Sequence, residues 1–264
     1  MSRIEAAFEP GRAAFIPFVM AGDPDLATTG RVVEALASAG ADVIELGLPF
    51  SDPIADGPTN QRAAARALAG GATPAGVLDL VRSLRDGGLA TPIVLFSYLN
   101  PLLALGDYAQ RLARARVDGL LCVDLPPEEA HEHERALASC GVDRIYLTAP
   151  STAPERLQTL AGTGSGFVYH VSRYGVTGER DALPEGLERH VAAVRKAVGR
   201  PVAVGFGIAG PEQAAEVARF ADGVVVGSAI VRRIERSGTE APEAVAAFAG
   251  ALAQAVHGAR EPQA

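Results

Sequence analysis

Residues 43–58 read VIELGLPFSDPIADGP and set one carboxylate, Glu45, inside an apolar run with the composition of a buried strand. Two more, Asp52 and Asp56, follow in a segment broken by proline and glycine. At a period of two, Val43, Glu45 and Gly47 share one strand face, and Ile44, Leu46 and Leu48 share the other. In a closed sheet the first face looks inward, so Glu45 points into the mouth of a barrel. Burial disfavours the ionised carboxylate and raises its pKa, which suits a group that both gives and takes a proton near neutrality. An internal ion pair with an arginine is the competing explanation. Asp56, in an Asp-Gly-Pro setting, reads on its own residues as turn chemistry.

Two further stretches carry chemistry. GFGIAGPEQ at 205–213 and VVVGSAIVRRI at 224–234 are glycine-rich turns after late strands, the second opening a short helix. Such turns hold phosphate with backbone N–H groups and a helix N-terminus, and Gly205, Gly207, Gly227 and Ser228 are small enough to let an anion approach. In YHVSRYGVTG at 169–178, Tyr169 shares a strand face with Phe167 and Val171. His170 falls on the opposite face, where a structural role is expected. Gly175 and Gly178 bracket a loop with the makings of a lid over ligand.

Absences narrow the reaction. The single lysine, Lys196, lies in a helical segment at the wrong end of a barrel, which excludes Schiff-base chemistry. His131, His133, His190 and His257 sit in helical segments facing away from the mouth, so no metal is expected. No G-x-S-x-G elbow is present and no cysteine pairs with a histidine, which argues against acyl transfer. Acid–base work by carboxylates on a phosphorylated small molecule remains.

The elements that position these residues alternate from end to end. Strand-like runs occur at 14–20, 42–47, 92–97, 119–124, 144–149, 166–171, 201–205 and 223–227. Segments of helical period lie at 28–38, 75–85, 108–116, 128–139, 153–161, 187–198 and 211–220, with Thr73, Ser151 and Gly210 as expected caps. Eight units with nearly continuous apolar strands predict an α/β fold, a (β/α)8 TIM barrel, with an extra N-terminal helix and a short phosphate-binding helix after strand 8. A doubly wound open sheet is the rival, but the turn after the first run, VMAGDPD, lacks the G-x-G-x-x-G pattern.

At 264 residues, 48% hydrophobic and 21% charged, the chain is expected to form one domain over 1–264, with fraying confined to the tail from Arg260. A net charge of -7 without a basic stripe argues against nucleic acid and anionic membranes. Cys122 and Cys140 read as buried small hydrophobes, and with no apparent signal peptide the cytoplasm is expected.

The segments IPFVMAGDP (16–24), GADVIELGLPFSDPIADGPTNQ (40–61), SYLNP (97–101), DLPPEE (124–129), SRYGVTG (172–178), GFGIAGPEQ and GSAIV (227–231) span nearly the whole chain. In this order they resemble the tryptophan synthase alpha subunit family, and E-L-G-x-P-F-S-D-P-x-A-D-G-P is a highly specific signature. The resemblance implies a (β/α)8 lyase that cleaves indole-3-glycerol phosphate to indole and glyceraldehyde 3-phosphate in tryptophan biosynthesis. It assigns Glu45 to protonating indole C3 and taking up the glycerol hydroxyl proton, and Asp56 to accepting from the indole N–H. That replaces the turn reading of Asp56. Phe18 and Tyr169 would line the indole pocket, Gly178, Gly207, Gly227 and Ser228 would hold the phosphate, and Thr177 in the lid would orient Asp56.

The resemblance further implies a beta-subunit partner in an alpha2-beta2 tetramer. That partner would receive indole through a tunnel and would carry pyridoxal phosphate, with no cofactor in this chain. Pro53, Asn100 and Pro101, in the loops at 51–58 and 98–101, would form the contact face with the lid. Met20 and Tyr174 depart from the family pattern, the second inside the lid. The alternatives are a stand-alone indole-3-glycerol-phosphate lyase and a non-catalytic phosphate-binding allosteric barrel. Another phosphate-binding barrel enzyme is disfavoured by the absence of a lysine acid near the mouth.

Overall fold

The computed structural model describes residues 1–172, 183–205 and 207–260. Its strands are β1 (Ala14–Met20), β2 (Ile44–Gly47), β3 (Ile93–Ser97), β4 (Gly119–Cys122), β5 (Asp143–Thr148), β6 (Val168–Val171), β7 (Val202–Gly205) and β8 (Gly223–Val226). They pair in parallel in sequence order, and β8 returns to β1, closing the barrel. Twelve helices are described: α1 (Arg3–Ala6), α2 (Leu26–Ser38), α3 (Pro58–Ala69), α4 (Pro74–Asp86), α5 (Leu99–Leu103), α6 (Tyr108–Arg114), α7 (His131–Ser139), α8 (Pro154–Ala161), α9 (Leu187–Val198), α10 (Pro211–Ala218), α11 (Ser228–Ser237) and α12 (Ala241–His257).

Helix starts follow local chemistry. Asp25 accepts from the Thr28 amide at 2.7 Å and Thr73 from the Gly76 amide at 3.1 Å, while Ser2 and Glu5 close a reciprocal box on α1. Ser151 does not cap α8. The N-cap there is Ala153, because Thr152 Oγ1 instead accepts from the Ala149 amide at 2.8 Å and folds the loop upon itself, leaving Pro154 to open the helix. Gly210 caps α10 by backbone alone, as expected.

Two apolar layers result from the alternation along each strand. Ile44, Leu46 and Leu48 pack outward with the helices, whereas Val43, Val94, Leu121, Ile145, Phe167 and Tyr169 fill the barrel interior. Ile4 of α1 joins the interior set and is fully buried. At the N-terminal rim, aspartates just ahead of β2, β4 and β8 take an amide at the start of an adjacent strand. Asp42 accepts from Phe15 at 2.7 Å, Asp118 from Ile93 at 2.8 Å and Asp222 from Val202 at 2.9 Å. Each also pairs with an arginine, respectively Arg12, Arg85 and Arg195. Cys122 is buried, but Cys140 is only partly so, because it ends α7 where that helix turns toward solvent.

Candidate active site

A cavity of about 750 Å³ opens where the strands end, walled by side chains of β1, β2, β3, β5, β6 and β8 and by the loops beyond them. Glu45 stands on its floor, level in register with Phe18 of β1 and Val94 of β3. The residue is 1% exposed and its Oε1 lacks a hydrogen-bond partner. Burial alone pushes its carboxyl up to about 8. Among the described residues no arginine pairs with it, so the side chain is a protonated acid at neutral pH rather than half of an ion pair.

Asp56 lines the same cavity from the loop ahead of α3 and is 4% exposed. Unlike Glu45 it has donors on both oxygens, Tyr98 Oη to Oδ2 at 2.9 Å and Asn60 Nδ2 to Oδ1 at 3.3 Å. Burial pushes its carboxyl up, and these two bonds pull it only part of the way back, leaving it above its ordinary value. Tyr169 is buried beside both acids, and their charge adds to desolvation in holding its phenol protonated. Its ring occupies the space a side chain at Gly205 would need, since a Cβ there would lie 2.1 Å from Oη. Gly205 therefore backs Tyr169 and is absent from the cavity wall, in contrast to the anion-facing position expected of it.

Phe18 meets Phe96 edge to face at 5.4 Å and forms an apolar wall. Gly47 seats that ring, because a Cβ there would come within 2.7 Å of it. Met20 packs beside Phe18 beneath the pocket. On the opposite side Gly207, Gly227 and Ser228 line the cavity together. Gly207 has φ +88°, a conformation glycine adopts readily, and Gly227 is the N-cap of α11 without a side-chain partner for the first amides. The helix axis thus directs uncapped N–H groups at the cavity, a favourable environment for an anion.

Thr177, Gly178 and Tyr174, with the rest of the lid sequence at 173–182, lie outside the described residues. Of the residues expected on the partner face, Asn100 is exposed on α5 and Pro53 half-buried, while Pro101 is buried and shapes α5 from beneath. Ile54 and Leu103 are the large apolar side chains exposed nearby, at 78% and 53%.

Sequence reasoning missed Asn60 and Tyr98. The first carried a signal: Pro58 opens α3, which brings positions 56 and 60 near one another at the helix entrance. Tyr98 carried none, since only the closed sheet brings the end of β3 against the loop after β2. Arg156, at the cavity rim in a double hydrogen bond with Glu128, was also unmarked.

Comparison with known proteins follows the same lines. The family model described as tryptophan synthase alpha chain matches residues 4–258. A tryptophan synthase alpha chain from Citrifermentans bemidjiense is 52% identical over 263 residues, covering 97% of this chain and 98% of the relative. Among solved structures, the alpha subunit from Legionella pneumophila superposes with a TM-score of 0.90 at 38% identity, covering 97% of this chain and 98% of that one. A chain from the tryptophan synthase a2b2 complex of Pyrococcus furiosus gives a TM-score of 0.86 at 38% identity, with 92% and 98% covered.

Proposed function

The chain belongs to the tryptophan synthase alpha chain family, whose reaction is the retro-aldol cleavage of indole-3-glycerol phosphate to indole and glyceraldehyde 3-phosphate, and on that premise we propose how this site performs it. Protonated Glu45 donates to indole C3. With that carbon saturated, the bond from C3 to the glycerol carbon breaks, its electron pair returns to the ring, and the hydroxyl on the departing carbon becomes a carbonyl. The hydroxyl proton passes to the Glu45 carboxylate, which restores the acid and balances the step. Positive charge develops on the indole nitrogen before the bond breaks, and ionised Asp56 stabilises it by accepting from the N–H. Phe18 and Tyr169 hold the ring, while Gly207, Gly227 and Ser228, with Gly178 of the lid, take the phosphate and Thr177 of the lid orients Asp56.

The observation that carries this reading is the contrast between two buried carboxyls in one cavity: Glu45 has an oxygen without donors, whereas both oxygens of Asp56 are held. Such a pair separates an acid from an ionised stabiliser. Glu45→Gln keeps the shape and removes the exchangeable proton, so indole release should fall by about 10²–10⁴. Binding of indole-3-glycerol phosphate, followed by calorimetry, should persist. A variant with the parent rate overturns the assignment.

A tetramer with two beta subunits is supported by the Pyrococcus furiosus neighbour, a chain of the tryptophan synthase a2b2 complex. Pro53, Asn100 and the apolar Ile54 and Leu103 form the contact face in this reading. Pyridoxal phosphate is assigned to the beta partner, because Lys196 lies in α9 and no lysine lines the cavity. The chain works as one barrel domain in the cytoplasm. No helix among the described residues is long and apolar enough to cross a membrane.

A further inference from the structure

The geometry points to Tyr98 and Asn60 as positioning residues that clamp the Asp56 carboxyl, one donor per oxygen, and hold it aimed into the cavity. This rests on the catalytic reading of Asp56.

Three observations carry it. First, the direction of the Tyr98 hydroxyl is forced. Its oxygen accepts from the Ala55 amide at 3.0 Å, so its single hydrogen is left for Asp56 Oδ2 at 2.9 Å. The phenol ring cannot swing away, being 3% exposed and packed against Phe50 with centroids 5.4 Å apart. Second, the orientation of the Asn60 amide is set by the carboxylate. Nδ2 reaches Asp56 Oδ1 at 3.3 Å, whereas Oδ1 is buried without a partner. An amide with nothing to hold its carbonyl is oriented by its other end, and burying that acceptor costs free energy which packing alone does not explain. Third, the Asp56 backbone is pinned as well. Its amide donates to the Pro53 carbonyl at 3.0 Å, and its carbonyl accepts from Gln61 Nε2 at 2.9 Å. The side chain is thus fixed at root and tip.

The chemistry follows from the two environments. Hydrogen bonds to a carboxylate favour its charged form, and Asp56 has two that oppose the upward push of burial. A neutral carboxyl accepts weakly from an N–H that is gaining positive charge, so losing either donor lowers transition-state stabilisation more than ground-state binding. Among the described residues, the titratable groups around Asp56 are Tyr98 from the end of β3, Glu45 from β2 and Tyr169 from β6. Both phenols stay protonated, since burial and the nearby carboxylates hold them above their ordinary range. Within this group the two carboxyls titrate below the phenols, Glu45 at about 8 and Asp56 above its ordinary value.

The test uses the full chain with its beta subunit, measuring indole release from indole-3-glycerol phosphate between pH 5 and pH 9 for Tyr98→Phe, Asn60→Leu and Asp56→Asn. Each clamp variant should lose about tenfold to a hundredfold in kcat with KM changed less than about threefold, the size seen when outer partners of a reactive group are removed. The acidic limb of its kcat profile should move upward by about one pH unit. A purely structural role would lower the unfolding midpoint without moving that limb. If Asp56→Asn is inactive while both clamp variants keep the parent kcat and profile, the clamp is overturned. If Asp56→Asn retains the parent rate, the catalytic reading of Asp56 falls instead. Should Tyr98→Phe fail to fold, Asn60→Leu decides alone, and an unmoved acidic limb there also overturns the proposal.

Discussion

Glu45 makes a stability argument as well as a catalytic one. Its carboxyl ionises near its ordinary value of 4.5 in the unfolded chain and only at about 8 in the folded one. Below 4.5 both states hold the proton, and stability does not depend on this group. Between 4.5 and about 8 the unfolded chain has released it and the folded chain has not, so stability falls as pH rises and levels off above the folded value. The slope approaches about 1.4 kcal/mol per pH unit at most. Glu45→Gln removes this dependence. Urea unfolding at pH 5.5 and pH 8.5 should show the parent losing at least about 1 kcal/mol relative to the glutamine variant over that interval. Equal losses would mean that the carboxyl is not desolvated as described. The inward direction of Glu45 was legible, because alternation along residues 43–48 admits only two faces and one is entirely aliphatic. The role of Asp56 was not legible from its own residues. Asp-Gly-Pro is turn chemistry, and it is also the entrance of α3; only partners distant in sequence, such as Tyr98, distinguish a turn from a site.

At the scale of elements, the barrel depends on α1, a single turn whose Ile4 closes the interior. A Cβ added at Gly119 would come within 2.6 Å of Ile4 Cδ1, which measures how closely that side chain seats against β4. Ile4→Ala leaves a void at the bottom of the barrel and should cost about 2–5 kcal/mol. The unfolding midpoint in urea reads this directly, and a loss under about 1 kcal/mol would show that the helix is an ornament. The catalytic end should keep its KM, because α1 lies against the opposite rim. Strand positions were legible to within two residues at either end, since parallel strands buried on both faces are continuous apolar runs bounded by glycine, proline and aspartate. Helices α3, α5 and α12 escaped periodicity for different reasons. The start of α3 reads as a turn, α5 is too short to show a period, and α12 is so rich in alanine that its two faces barely differ.

The whole molecule separates its tasks between two ends. The N-terminal rim holds Asp42, Asp118 and Asp222 on strand amides and arginines, contacts that stabilise and touch no ligand. The C-terminal rim carries the cavity, the open start of α11 and an apolar face. On that face Phe50, Pro53, Ile54 and Leu68 border a second depression of about 540 Å³, and Leu103 projects from α5 with 53% of its surface in water. Exposed aliphatic groups beside a charged, net acidic surface are expensive unless something covers them, and the proposed beta partner does so. Leu103 is the cleaner probe, because Ile54 also lines the substrate cavity and Leu103 does not. Leu103→Glu places a charge where a desolvated contact is expected and should weaken beta-subunit binding by about tenfold or more. Indole release by the isolated chain should stay within about twofold of the parent, since the substitution changes no group that touches substrate. Titration calorimetry with the beta subunit gives the first quantity and a direct indole assay the second. Unchanged affinity would move the interface off α5, and a parallel loss of isolated activity would show that α5 supports Tyr98, which immediately precedes it, rather than a partner.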